Sequence, residues 1–229
     1  MPYREALKRE AAVRAASLAQ SGMRIGLGTG STAKYAILEL GRRVREGELK
    51  DVVGVATSEA SELLARQEGL TVADLGTSEL DLAIDGADEI APNLDLIKGL
   101  GGALLREKIV EARARTLVLI GDVSKRVRYL GEKAPVPTEV LAFGFGATRR
   151  DLERLGCRPV VRERGGEPVR SDNGNLVVDC FFDAPFSPPE VSAAMNAVPG
   201  VLEHGMFLGM AKVAYIADGE RVLRLERES

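Results

Sequence analysis

Histidine is nearly absent: His204 is the only one in 229 residues, and just two cysteines, Cys157 and Cys180, accompany it. One imidazole and two unclustered thiols cannot assemble the usual ligand sets of zinc or iron. Two cysteines also make no disulfide framework. With so little imidazole, proton transfer near neutral pH falls to carboxylates. Long apolar runs are missing too, since no stretch approaches the ~20 apolar residues that a membrane-spanning helix needs. The opening MPYREALKREAAVRAA is crossed by charges where a signal peptide carries an apolar core. Nor does one sign of charge dominate. The 31 Lys and Arg face 34 Asp and Glu, for a formal net charge of −3. No broad positive field exists to hold nucleic acid or an anionic membrane. The chain therefore reads as cytoplasmic, and a small anionic ligand would need a local pocket.

What is present is an ordinary enzyme composition, 45% hydrophobic and 28% charged, in a chain long enough to bury a substantial core. Residues 3–21 have helical spacing of Leu7, Ala11, Ala15 and Leu18, with Gly22 beyond the end. Short apolar runs at 23–27, 52–56, 80–84, 94–97 and 116–120 then alternate with helical stretches at 31–45, 59–69 and 103–114. Strands alternating with helices predict an α/β fold: a Rossmann-like, mostly parallel sheet flanked by helices. Such sheets bind ligands beyond their strand carboxyl ends. Near Gly131–Pro137 the run KAPVP interrupts regular structure. Beyond it, turn signals at Arg164-Gly-Gly and Ser171-Asp-Asn-Gly predict antiparallel pairing. The expected organisation is a catalytic domain of residues 1–131 plus 206–229, and a second, smaller α+β domain of residues 132–205.

Three glycine-bearing stretches carry candidate chemistry. GLGTGST follows a predicted strand and opens a predicted helix. Its free N–H groups suit a phosphate, with Ser31 and Thr32 as hydroxyl donors. The same loop fits a degenerate dinucleotide fingerprint through Gly28, Gly30 and Ala33. However, the next strand runs into Ala56-Thr57-Ser58-Glu59 rather than ending on the acidic residue that a ribose needs. LAIDGADEI brings Asp85, Asp88 and Glu89 to one strand end. Crowded carboxylates hold protons more tightly and suit acid–base work; they could alternatively hold Mg²⁺, or form only a turn. KGLGGALLREKIV offers Lys98 to stabilise an oxyanion or phosphate, and Glu107 early in a helix. Periodicity alone does not bury Glu107, which lies between a small apolar row and the charged arc of Lys108, Glu111 and Arg115. By itself it reads as a solvated acid near a helix start. Lys125, in GDVSKRV, is either surface charge or a second cation.

Taken together, these stretches resemble type A ribose-5-phosphate isomerase over nearly the whole chain. The carriers are GTGST at 28–32, DGADE at 85–89, K-G-x-G-x-A-L-x-R-E-K at 98–108 and D-x-S-K at 122–125. PVPTEV at 135–140, DNGN at 172–175 and NAVPGV at 196–201 match as well. The resemblance implies aldose–ketose isomerisation of a sugar phosphate in the pentose phosphate pathway, without metal or cofactor, by a homodimer. It implies Glu107 as the proton acceptor, with Asp85, Lys98 and Asp88 assisting. Substrate contacts are implied at Thr29, Gly30, Ser31, Thr32, Gly86, Ala87, Gly99, Leu100, Gly101 and Lys125, and more weakly at Lys8. Two other readings use the same architecture. One is a module that senses a sugar phosphate without turnover; the other is a CoA-transferase-like enzyme with a glutamate nucleophile.

Overall fold

The computed structural model describes residues 2–183 and 185–227. Its elements through the first half are α1 (Pro2–Ala16), β1 (Arg24–Leu27), α2 (Ala33–Arg45), β2 (Val53–Ala56), α3 (Glu59–Gln67), β3 (Thr71–Val72), β4 (Leu82–Asp85), β5 (Glu89–Ile90), β6 (Leu96–Ile97), α4 (Leu104–Glu111) and β7 (Leu117–Asp122). The second half adds β8 (Val136–Val140), α5 (Phe145–Arg154), β9 (Cys157–Val161), β10 (Glu163–Arg164), β11 (Glu167–Pro168), β12 (Leu176–Phe182), α6 (Pro188–Asn196), β13 (Val201–His204), β14 (Met206–Phe207), β15 (Ala211–Ala217) and β16 (Val222–Glu226). They divide into two units, one of Met1–Ala87, Arg106–Lys125 and Met210–Ser229, the other of Asp88–Leu105 and Arg126–Gly209. Residues 88–105, 126–131 and 206–209, assigned from sequence to the larger domain, thus group with the second unit. For 88–105 the reason is local: β6 lies between β5 and β14 in a three-stranded sheet separate from the large one.

In the first unit a seven-stranded sheet runs β16-β15-β7-β4-β1-β2-β3, parallel except at the β15–β16 edge. Its central strands β4 and β7 are short and almost wholly buried, as parallel strands covered on both faces must be. Alanines 11, 12, 15 and 16 of α1 are buried in the same core as Ile25, Ile84 and Val118; their small side chains let the helix lie close on the sheet. The chain moves outward from β1 to β2 and β3, then returns to place β4 on the other side of β1. The order therefore reverses between β1 and β4, the topological switch point where ligands bind in such sheets.

The second unit holds an antiparallel sheet ordered β13-β8-β12-β9 and a hairpin of β10 and β11. That hairpin turns through Gly165 and Gly166, both at positive φ, as a two-residue primed turn requires. Here one expectation is corrected. The KAPVP break is shorter than its prolines suggested, because β8 begins at Val136 and lies between β12 and β13.

Candidate active site

At the switch point, Asp85 ends β4 and is 1% exposed. Its Oδ1 accepts the backbone N–H groups of Thr29 at 3.0 Å and Gly86 at 2.6 Å. The loop after β1 is thereby tied to the end of β4. The Thr29 hydroxyl turns toward β2 and α3, lying 2.7 Å from Thr57 Oγ1, 2.8 Å from Ser58 Oγ and 3.1 Å from Ser61 Oγ. Thr57 and Ser61 in turn donate to the carbonyls of Leu27 and Gly28 at 3.0 and 2.7 Å. Both polar hydrogens of Thr29 are thus engaged within the protein. Thr57, Ser58 and Ser61 were noticed in sequence as a Ser-rich turn but not named as site residues; the signal was a run of hydroxyls at a parallel strand's carboxyl end. Gly30 holds φ at +111°, so a glycine is needed there to turn the chain into α2. Ser31 is exposed, and Thr32, at the N-cap, makes no side-chain capping bond. The Thr32 hydroxyl is therefore not spent on capping α2.

On α4 the buried stripe is Leu104, Glu107, Val110 and Glu111, while Ile109 is 49% exposed. This inverts the expected pattern: two carboxylates face inward and an isoleucine outward. Glu107, read from periodicity as a solvated acid, is 5% exposed. Val110 anchors the helix by packing with Val55 and Leu80. A buried carboxylate in the first turn of α4 makes Glu107 a candidate for acid–base work.

At the end of β7, Asp122 gathers the two lysines of this unit named from sequence. Lys8 Nζ lies 3.6 Å from its carboxylate, and Ser124 donates to it through both hydroxyl and backbone N–H. Burial works to raise the Asp122 carboxyl. The Ser124 bonds and the charges of Lys8 and Lys125 outweigh it and hold the group below its ordinary value.

In the second unit, Asp88 Oδ2 accepts the Leu100 N–H at 2.8 Å, which fixes the glycine loop that follows Lys98. Lys98 is 2% exposed, with its Nζ 5.3 Å from the centroid of the Phe207 ring, a cation–π contact. Glu89 has a different role from its neighbours in sequence. Its two oxygens accept the N–H groups of Gly131, Lys133 and Ala134 at 2.5–2.7 Å, so it anchors a loop and does not join an acid–base cluster. His204 is buried and structural as well: Nδ1 accepts the Met206 N–H at 3.2 Å, and Nε2 meets Ser192 Oγ at 3.1 Å. Chemically, the first unit offers an anion-ready loop, buried Asp85 and buried Glu107. The second offers the buried Lys98 ammonium and, following it in sequence, a glycine loop fixed by Asp88.

The family model of ribose 5-phosphate isomerase A (phosphoriboisomerase A) matches residues 53–221. A protein of Deinococcus radiodurans named ribose-5-phosphate isomerase A is 52% identical over 97% of this chain and 99% of its own. The solved structure of ribose 5-phosphate isomerase A from Methanocaldococcus jannaschii superposes with a TM-score of 0.92 at 39% identity, over 97% of this chain and 99% of its own. A D-ribose-5-phosphate isomerase solved in complex with phospho-erythronic acid gives a TM-score of 0.93 at 40% identity, over 97% and 99%.

Proposed function

Because the chain belongs to the ribose 5-phosphate isomerase A family, we propose that it interconverts D-ribose 5-phosphate and D-ribulose 5-phosphate through an enediolate, with Glu107 as the base. Glu107 takes the proton from C2 of the open-chain aldose and returns it to C1, while a hydroxyl proton passes between the two oxygens. Lys98 and the N–H groups of the loop after it stabilise the oxyanion that develops. Asp85 assists ring opening and moves hydroxyl protons, and Asp88 orients the sugar. The phosphate sits on Ser31, Thr32 and the start of α2, with Lys8 and Lys125 adding charge. Phosphate binding thereby contributes at a distant bond.

The burial of Glu107, 5% exposed on a helix whose isoleucine faces out, carries the reading. Family membership leaves the sensing and acyl-transfer alternatives without support. The finer parts rest on the family resemblance: a cytoplasmic homodimer of the pentose phosphate pathway that needs no metal. The decisive experiment follows conversion of ribose 5-phosphate by the purified protein with EDTA present. Turnover is expected; binding without turnover sinks the proposal, and activity that EDTA abolishes and Mg²⁺ restores returns the DGADE carboxylates to metal binding.

A further inference from the structure

We infer that Arg162, held by Asp179, is a positioning residue that sets the direction of the Leu100–Gly101 peptide in the Lys98 loop. The inference rests on the isomerase reading above and names a residue outside the matched motifs. Arg162 follows β9, and its guanidinium grips two partners. Nε and Nη2 donate to the two oxygens of Asp179 on β12, Nε at 2.9 Å. Nη1 donates to the carbonyls of Gly99 at 3.0 Å and Leu100 at 2.8 Å. Both side chains of the pair are only about one-seventh exposed, 14% and 16%, so the fork is well shielded. The backbone is pinned too, since the Arg162 N–H donates to the Val177 carbonyl at 2.8 Å.

The loop itself is a four-residue turn, closed by the Gly102 N–H on the Gly99 carbonyl at 3.0 Å. In such a turn the middle peptide can point either way, and reversing it interconverts type I and type II. Type II needs positive φ at the third residue. Here that residue is Gly101, which tolerates positive φ but stays outside that region. Sequence alone therefore leaves this peptide free to flip, and Arg162 selects one state by holding the Leu100 carbonyl. A trans peptide sets its N–H opposite its C=O. With both carbonyls drawn to one nitrogen, the N–H groups of Leu100 and Gly101 point away from Arg162. Asp88 takes the first of them at 2.8 Å. The second is directed by Arg162, and a flipped peptide would offer an incoming oxyanion a carbonyl in place of a donor.

Steady-state kinetics of Arg162→Ala, with and without added guanidinium ion, test this. The variant should unfold cooperatively as wild type does. Its kcat should fall at least about 10-fold, toward the ~10²–10³ that loss of one oxyanion donor costs, with KM changed less than about 3-fold. Low concentrations of guanidinium should restore part of the lost kcat, a response that a purely structural role would not give. Arg162→Lys should recover less, because one ammonium cannot span Asp179 and two carbonyls. A folded Arg162→Ala within about 3-fold of wild-type kcat, or a loss that guanidinium leaves unchanged, overturns the inference. Should that variant fail to fold, Asp179→Asn decides in the same terms, by a kcat loss at constant KM or none. Absence of turnover in the wild type would sink the isomerase reading itself, whereas turnover unaltered in both variants sinks this inference alone.

Discussion

A β-carbon added at Gly28 would lie 2.2 Å from the Asp85 carboxylate, so the glycine loop after β1 and the acid at the end of β4 fit only without a side chain there. Gly28→Ala must push one of them aside. Such overpacking costs about 1–3 kcal/mol, and a displacement of about 1 Å near reacting groups can cost ~10²-fold in rate. Both losses are expected, read by urea unfolding and by kcat/KM. Wild-type activity in the alanine variant would mean that Asp85 tolerates displacement and contributes little.

Glu107→Gln removes a charge and keeps the shape. If Glu107 is the base, kcat should drop by about 10²–10⁴, and exchange of the C2 proton with D₂O should slow equally. More than a tenth of wild-type turnover in this variant would exclude Glu107 as the base.

Much of the architecture was legible in sequence because parallel strands are short apolar runs and glycines mark where the chain leaves them. The candidate loops were legible for the same reason, and Asp85 proved to lie where β4 meets the glycine turn. Periodicity failed at α4, since an apolar-face argument assigns carboxylates to water and this helix buries two. At β8 all five residues are buried, which erases the alternation that marks a strand, and Pro135 and Pro137 disguised what remained. Glu139 on that strand relies on distant partners: its Oε1 accepts from Ser171, Asn173 and Asn175 at 2.8–3.1 Å. Arg162 and Asp179 were invisible for a similar reason. Their meaning is a contact 62 or 63 residues away, and no local pattern announces it.

Asp122→Asn should reveal a pH-dependent contribution. The Asp122 carboxyl is held below its ordinary value despite burial, by Ser124, Lys8 and Lys125. A depressed carboxylate stabilises the fold above its unfolded pKa near ~3.9, and that contribution is lost as pH falls through the lower folded value. Asparagine keeps an acceptor for Ser124 but loses the charge beside Lys8. The variant should therefore be less stable at pH 7 by about 0.5–1 kcal/mol, with the gap closing below about pH 3–4. Urea unfolding of both proteins across this range checks it; a gap that persists unchanged into acid would rule out the charge as its source.

Glu89 separates anchoring from chemistry within a single motif. It stands beside Asp88 in sequence, is fully buried, and accepts three backbone N–H groups from residues 131–134. Glu89→Gln replaces one acceptor oxygen with a donor that faces another donor. Disrupting a buried charge in this way costs about 3–5 kcal/mol, far more than an exposed substitution. The unfolding midpoint should fall sharply, while kcat per folded molecule should stay within a few-fold of wild type, since Glu89 moves no proton in the proposed reaction. Calorimetry with active-site titration separates the two quantities. A variant that melts like wild type yet loses 10²-fold or more in kcat would return Glu89 to the acid–base group and undo its assignment as a loop anchor.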